Sequence, residues 1–354
     1  MSNLYATSLD QATNLVATIG HQRTVLVQGH MGCGKSSMLK VLQERFPDHH
    51  ACYFDCTTKD LGDISIPSLN TDEGYVKYLP NEEFGLHTGK PVILMVDEFG
   101  KANPAVKNAL LRDMLERDRF PEGSIIFATT NLGAEGVGDL LPPHARNRLT
   151  VVEMRKPDST EWIEWGINNR IHPSVLGFVK DFPQTMQSFQ EVTQPDDNPY
   201  IFHPKQQRAA FITPRSLEAA SDILQAREYL DDNTLTGALC GTIGDRGAMD
   251  MMAFVKLADQ LPTLESIKQD PDNATVPTSA SAVCMVVYRA VSMVERDWVD
   301  SWMTYLRRLD KEAQGLFVNC IRASNYGKRD MIMQSKNYGT WAVENNYMFA
   351  ADKK

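Results

Sequence analysis

Gly29-His30-Met31-Gly32-Cys33-Gly34-Lys35-Ser36, followed by Ser37, fits the pattern G-x-x-x-x-G-K-[ST] at every fixed position. Glycines let successive backbone N–H groups curl around phosphate oxygens, and a helix opening at the end of the motif adds its positive dipole. In such a loop Lys35 reaches the terminal phosphates of a nucleotide and the Ser36 hydroxyl holds Mg²⁺. An ordinary Gly-rich turn is the competing reading, and the flanks argue against it. Thr24-Val25-Leu26-Val27-Gln28 is a short β-branched run stopped by Gly29, and Ser36 to Phe46 places Met38, Leu39, Val41, Leu42 and Phe46 at helical spacing. Strand, phosphate loop, helix is the order the chemistry requires.

Further strands follow from the same signal: His50 to Asp55, Val92 to Val96, Ser124 to Thr129 and Leu149 to Met154, with an amphipathic helix through Val106, Leu110, Leu111, Met114 and Leu115. Strands this apolar, separated by helices, predict a parallel sheet covered on both faces, an α/β fold of the P-loop NTPase kind. Asp97-Glu98 ends the second of these apolar runs. One carboxylate there can reach Mg²⁺, assigned to Asp97, and the next can deprotonate an attacking water, assigned to Glu98. Asp-Glu at a strand end is a weak signal alone and a stronger one downstream of a phosphate loop. Asn131 closes the polar cluster Ala128-Thr129-Thr130-Asn131, where it can hydrogen-bond a terminal phosphate or the lytic water, or form a turn before Gly133.

From Pro157 the pattern turns helical. Asp158 with Glu161 has capping-box spacing, and Thr213-Pro214 is an N-cap followed by proline at the first helical position. Asp181 to Phe211 is long, polar and proline-containing, which predicts an excursion loop. After a helix around Met249 to Leu257, a long amphipathic helix is expected from about Ser281 to Leu309, its stripe Val294, Trp298, Trp302, Tyr305 and Leu309 being core or a partner-helix surface, with core preferred. The segment 57–89 shows no clean period, and an excursion packed on its own domain is the favoured reading of it.

Composition narrows the function classes. The 354 residues suggest two or three structural units, and no apolar run approaches the roughly 20 residues of a membrane span. The first twenty residues lack a basic signal-peptide region, so a cytoplasmic location is expected. Six scattered Cys fit free thiols, and no His or Cys spacing supports a metal beyond nucleotide-bound Mg²⁺. With 45 acidic and 36 basic residues the net charge is −9, which opposes generic binding to a nucleic-acid backbone.

The ordered set of phosphate loop, Asp97-Glu98, Asn131 and then Leu141-Pro-Pro-His-Ala-Arg146-Asn-Arg148-Leu resembles the AAA+ ATPases, and more narrowly the MoxR-type branch that includes the CbbQ and NorQ activators. The resemblance implies that Arg148, with Arg146 as the reserve, is an arginine finger supplied to the neighbouring subunit's ATP. Phe211-Ile-Thr-Pro-Arg215-Ser resembles the sequence that carries sensor 2, which implies that Arg215 also meets the nucleotide. It further implies an αβ core over residues 1–156, a helical lid over 157–261 and a helical extension over 262–354. A homo-oligomeric ring, usually six-membered, would spend ATP with Mg²⁺ on a protein client, and a von Willebrand A-type protein is a common partner in this branch. Tyr75 and Tyr78 lie where MoxR-like proteins insert a hairpin and pore-facing loop. Two other readings are an AAA+ protein of DNA replication or cleavage, which the acidic balance disfavours, and a non-catalytic nucleotide-gated scaffold, which needs neither Glu98 nor Asn131.

Overall fold

A computed structural model describes residues 5–135, 146–323 and 326–349. It divides into two compact units, Met1–Pro157 and Asp158–Lys354.

The first unit is built on five parallel strands: β1 (Val25–Gly29), β2 (His50–Asp55), β5 (Val92–Asp97), β6 (Ile125–Thr130) and β7 (Thr150–Met154), in the spatial order β2-β5-β6-β1-β7. β3 (Ser65–Asn70) and β4 (Tyr75–Pro80) form a separate antiparallel pair. Every residue of β5 and β6 is buried, which explains why these strands read as unbroken apolar runs. A period of two is nonetheless present in three dimensions. Leu26, Leu94, Val96, Ile126 and Ala128 pack on one face with Val106, Leu110 and Met114 of α3 (Pro104–Glu116). Val25, Val27, Ile93, Met95 and Phe127 pack on the other with Ala12 and Val16 of α1 (Leu9–Ile19) and Met38 and Leu42 of α2 (Ser37–Arg45). α1 starts at a capping box between Ser8 and Gln11, and α3 starts at Asn103, whose side chain accepts from the Val106 amide, with Pro104 at its first position.

The segment expected to pack on its own domain does so only at its ends, where Ile64 and Phe84 are buried. Between them the β3–β4 hairpin stands exposed: Ile66 and Tyr78 are each 63% accessible, and β4 is exposed along its whole length. The physical reason is strand count. Among the described residues Ser65–Asn70 pairs with Tyr75–Pro80 alone, and a two-stranded ribbon buries little of either face by itself.

The second unit is helical: α4 (Ser159–Asn168), α5 (Pro173–Asp181), α6 (Pro214–Gln225), α7 (Asp232–Ala258), α8 (Leu264–Gln269), α9 (Ala280–Met293), α10 (Val299–Leu306), α11 (Lys311–Arg322), α12 (Arg329–Met333) and α13 (Lys336–Glu344). One apolar cluster runs through it from Trp162 to Trp341. Asp158 and Glu161 form the expected capping box, and Thr213 caps α6. α7 bends at Gly244, whose φ of 79° lies in the region open to glycine, and a Cβ there would meet the Ala210 carbonyl oxygen at 2.7 Å.

The second unit departs from the sequence pattern at two places. Residues 181–211 are not an excursion: Met186, in the first of three short 3₁₀ turns, and Tyr200 and Ile201, beyond the last of them, are buried in the core, and Asn198 ties the segment together by donating to the Gln184 carbonyl at 2.7 Å and to Gln187 Oε1 at 2.9 Å. The single helix expected over 281–309 is broken into α9 and α10. Val294, with ψ 136°, leaves the helical region, and the Lys328 ammonium donates to the carbonyls of Ser292 at 2.7 Å and Val294 at 3.0 Å, satisfying groups that the break leaves without intrahelical partners. The stripe survives the break: Val294, Trp298, Trp302, Tyr305 and Leu309 are all buried.

Candidate nucleotide-phosphate site

Parallel pairing aligns the ends of three strands. Gln28 of β1 lies beside Thr130 of β6, and Val96 of β5 beside Ala128. The phosphate loop after β1, Asp97-Glu98 at the end of β5 and Asn131 after β6 therefore meet at the carboxyl edge of the sheet, the edge where open α/β folds bind ligands.

The loop itself turns through Gly32 and Gly34, with φ of 67° and 92°. Among the described residues, the amides of Gly32, Cys33, Gly34, Lys35 and Ser36 donate to no protein carbonyl or side chain. A run of successive unpaired amides ahead of α2 fits a polyphosphate anion. Lys35 is only 6% exposed, and its ammonium donates to the carbonyls of Gly29 at 2.9 Å and His30 at 2.8 Å and to Asn131 Oδ1 at 2.8 Å. The Cys33 thiol donates to the His30 carbonyl at 2.8 Å, and burial pushes its pKa up, so it packs as a neutral thiol. Ser37 Oγ donates to the Gly34 carbonyl at 2.7 Å, closing the turn into the helix.

Asp97 is buried and collects four donors. Its Oδ1 accepts from Thr129 Oγ1 and from the Glu98 amide at 3.0 Å; its Oδ2 accepts from Tyr53 OH at 2.9 Å and from Ser36 Oγ at 3.3 Å. Burial, and then the bond to Asp97, pushes the Tyr53 phenol upward, so it stays a donor. Ser36 and Asp97 are the hydroxyl and carboxylate pair that fits a Mg²⁺ ion, an oxygen-seeking cation that usually takes one or two protein ligands and completes its shell with phosphate and water.

Glu98 has φ 51° and ψ 34°, the left-handed region, which costs an L-residue about 1–2 kcal/mol. Its carboxylate accepts from Asn131 Nδ2 at 3.2 Å and pairs with Lys101 Nζ at 3.0 Å. Asn131 thus bridges Lys35 of the loop and Glu98 of the acidic pair. Lys35, Ser36, Asp97, Glu98 and Asn131 are all brought into one hydrogen-bonded constellation.

The arginines are placed otherwise. Arg146 and Arg148 are exposed ahead of β7, while the stretch from Leu141 to Ala145 that precedes them in the motif lies outside the described residues. Arg215 is exposed in the first turn of α6 and belongs to the second unit. Sequence reasoning missed Tyr53, Thr129, Lys101 and Glu135. Thr129 carried a signal, a polar residue within a strand that is buried throughout. Glu135 binds His30 and the Met31 amide, as described below.

No protein-family model matches the chain, and no curated protein sequence matches it. Among solved structures, it is similar to the Thermotoga maritima RuvB Holliday junction branch migration motor, at 14% identity over 77% of this chain and 80% of that one, with a TM-score of 0.36. It is also similar to C. elegans PCH-2, at 13% identity over 70% of this chain and 71% of that one, with a TM-score of 0.33. No helix among the described residues is long and apolar enough to cross a membrane.

Proposed function

We propose that the chain is a Mg²⁺-dependent ATPase of the AAA+ kind, working as a MoxR-type ring that remodels or activates a protein client. The observation that supports this best is the meeting of unpaired loop amides, the Ser36–Asp97 pair and the Glu98–Asn131 pair at one sheet edge. In this reading the amides of Gly32 to Ser36 and the Lys35 ammonium hold the phosphates. Mg²⁺, held by Ser36 and Asp97, would neutralise charge on the β- and γ-phosphates. Glu98 takes the proton of a water whose oxygen bonds to the γ-phosphorus as the bridging P–O bond breaks, and Asn131 orients the γ-phosphate or that water.

Arg148 acts as the finger towards a neighbouring subunit, Arg146 standing in reserve, and Arg215 serves as sensor 2. A lid over 157–261, an extension over 262–354, and a client gripped through Tyr75 and Tyr78 complete the proposal. The exposed hairpin suits such contact, carrying exposed apolar side chains and, among the described residues, no strand paired at either edge. A von Willebrand A-type protein is the partner to try first.

The test is Glu98→Gln, which keeps size and hydrogen bonding but cannot take a proton. It is expected to bind ATP like the wild type and to hydrolyse it about 10²–10⁴-fold more slowly. Unchanged turnover would remove Glu98 as the base, and absence of ATP binding by the wild type would remove the reading altogether.

A further inference from the structure

Beyond the constellation above, one buried charge is unexplained by it. Glu135 ends the short turn Gly133–Glu135 that follows β6, with its side chain only 1% exposed. Its Oε1 lies 2.7 Å from His30 Nδ1, itself on a side chain 4% exposed, and its Oε2 accepts the Met31 amide at 2.7 Å. The carboxylate is the acceptor in this pair, so His30 Nδ1 carries the hydrogen.

A buried carboxylate is costly unless donors surround it, and these two donors both come from the first turn of the phosphate loop. Neither residue is near the other in sequence; they meet because β6 pairs directly with β1, which places the segments following the two strands side by side. A second clasp joins the same two segments, the Lys35 ammonium donating to Asn131 Oδ1 at 2.8 Å. The loop is held at its beginning by Glu135 and at its end through Lys35, and the amides between the two clasps are the unpaired ones.

We infer that Glu135 is a positioning residue of the phosphate loop: it pins the His30–Met31 turn to the end of β6, so that the amides of Gly32 to Ser36 stand in their binding arrangement before a ligand arrives. The inference rests on the nucleotide reading of the loop. Without Glu135, the Met31 amide and His30 Nδ1 lose this acceptor and the loop must be ordered at the expense of binding free energy, which is how lost pre-organisation weakens affinity. Glutamine can serve in its place. Its carbonyl accepts the Met31 amide, and its NH₂ donates to His30 once the imidazole proton moves to Nε2.

The experiment uses the full chain and two readouts, equilibrium titration with a fluorescent ATP analogue and amide hydrogen exchange of the ligand-free protein over residues 29–36. Glu135→Ala is expected to exchange faster at Met31 and to bind the analogue about ten-fold more weakly with and without Mg²⁺, while Glu135→Gln stays within about two-fold of the wild type in both. Wild-type exchange and affinity in Glu135→Ala overturn the inference. So does a Glu135→Gln variant as weak as the alanine, since charge and not the brace would then be what matters. Should Glu135→Ala fail to fold, exchange in His30→Ala, which removes one of the two bonds, decides in its place: faster exchange at Met31 supports the brace and unchanged exchange overturns it. If the wild type binds no nucleotide, the functional reading falls, while the exchange comparison still tests the brace.

Discussion

Thr129→Val removes one hydroxyl from beneath Asp97 and replaces it with a methyl group, so the site is filled and no cavity adds to the effect. Thr129 is wholly buried and its Oγ1 is one of two donors to Asp97 Oδ1, the other being the Glu98 amide at 3.0 Å. A buried hydrogen bond to a charged group contributes about 1.5–3 kcal/mol, which in a protein unit of this size lowers Tm by about 3–12 °C. The second consequence concerns metal. Oδ1 loses half of its anchorage while Oδ2 keeps Tyr53 and Ser36, so the carboxylate is free to turn away from the geometry that Mg²⁺ needs. A loss of about 1.4 kcal/mol in that geometry corresponds to a ten-fold rise in the Mg²⁺ concentration for half-maximal ATPase activity. The loop amides and Lys35 are untouched, so ATP affinity in EDTA stays within about two-fold of wild type. Calorimetry, a Mg²⁺ titration of phosphate release and nucleotide titration in EDTA read the three quantities. A variant with unchanged Tm and unchanged Mg²⁺ requirement would refute the role given to Thr129. Loss of ATP affinity in EDTA would refute the separation of metal site from phosphate loop.

Two further outcomes follow from residues elsewhere. Arg148→Ala should still assemble and bind ATP but lose about 10³-fold in hydrolysis, with partial recovery on mixing with Glu98→Gln subunits, which contribute an intact finger; full-rate hydrolysis by isolated monomers would show that no residue acts between subunits. His172, whose Nδ1 accepts the Ser174 amide at the start of α5, has its pKa pushed down to about 4 by burial and by the nearby Arg227 and Arg289 guanidinium groups. The folded chain therefore binds fewer protons than the unfolded chain between pH 6.5 and 4. Stability should be full above pH 6.5 and fall by about 3 kcal/mol as pH drops through 4. Urea denaturation across that range should show the slope in the wild type and a flatter one in His172→Asn, which keeps a capping side chain; equal slopes would exclude His172 as the cause.

The parts of the molecule that were legible in advance are those whose signal is contiguous. The strand, glycine-rich turn and helix around Gly29 to Ser37, the apolar strands and the caps at Asp158 and Thr213 are each encoded within a few neighbouring residues, and each is found where its spacing placed it. Tyr53 was invisible because its position is an ordinary outward one on β2, and only the pairing of β2 with β5 makes it a neighbour of Asp97. Glu135 was invisible for a related reason: a carboxylate after a Gly-Ala turn looks solvated until β6 sets it against the loop. The break at Val294 escaped because the apolar spacing runs on through it without a Pro or Gly to mark it, and the group that makes it tolerable, Lys328, is far along the chain.

Strand β6 lies between β1 and β5, and this order sets a gauge for the chemistry. Two inter-strand steps separate the phosphate loop's strand from the acidic one, about 9–10 Å between their axes. Across that gap the serine hydroxyl and the aspartate carboxylate, two of the shortest polar arms available, already come within 3.3 Å of each other. In the proposed site, a longer arm at either position would overshoot the oxygens that would close around Mg²⁺. On that reading the sheet sets arm length as well as residue type: replacing Asp97 with Glu would keep the charge and lose the fit while β6 keeps its place.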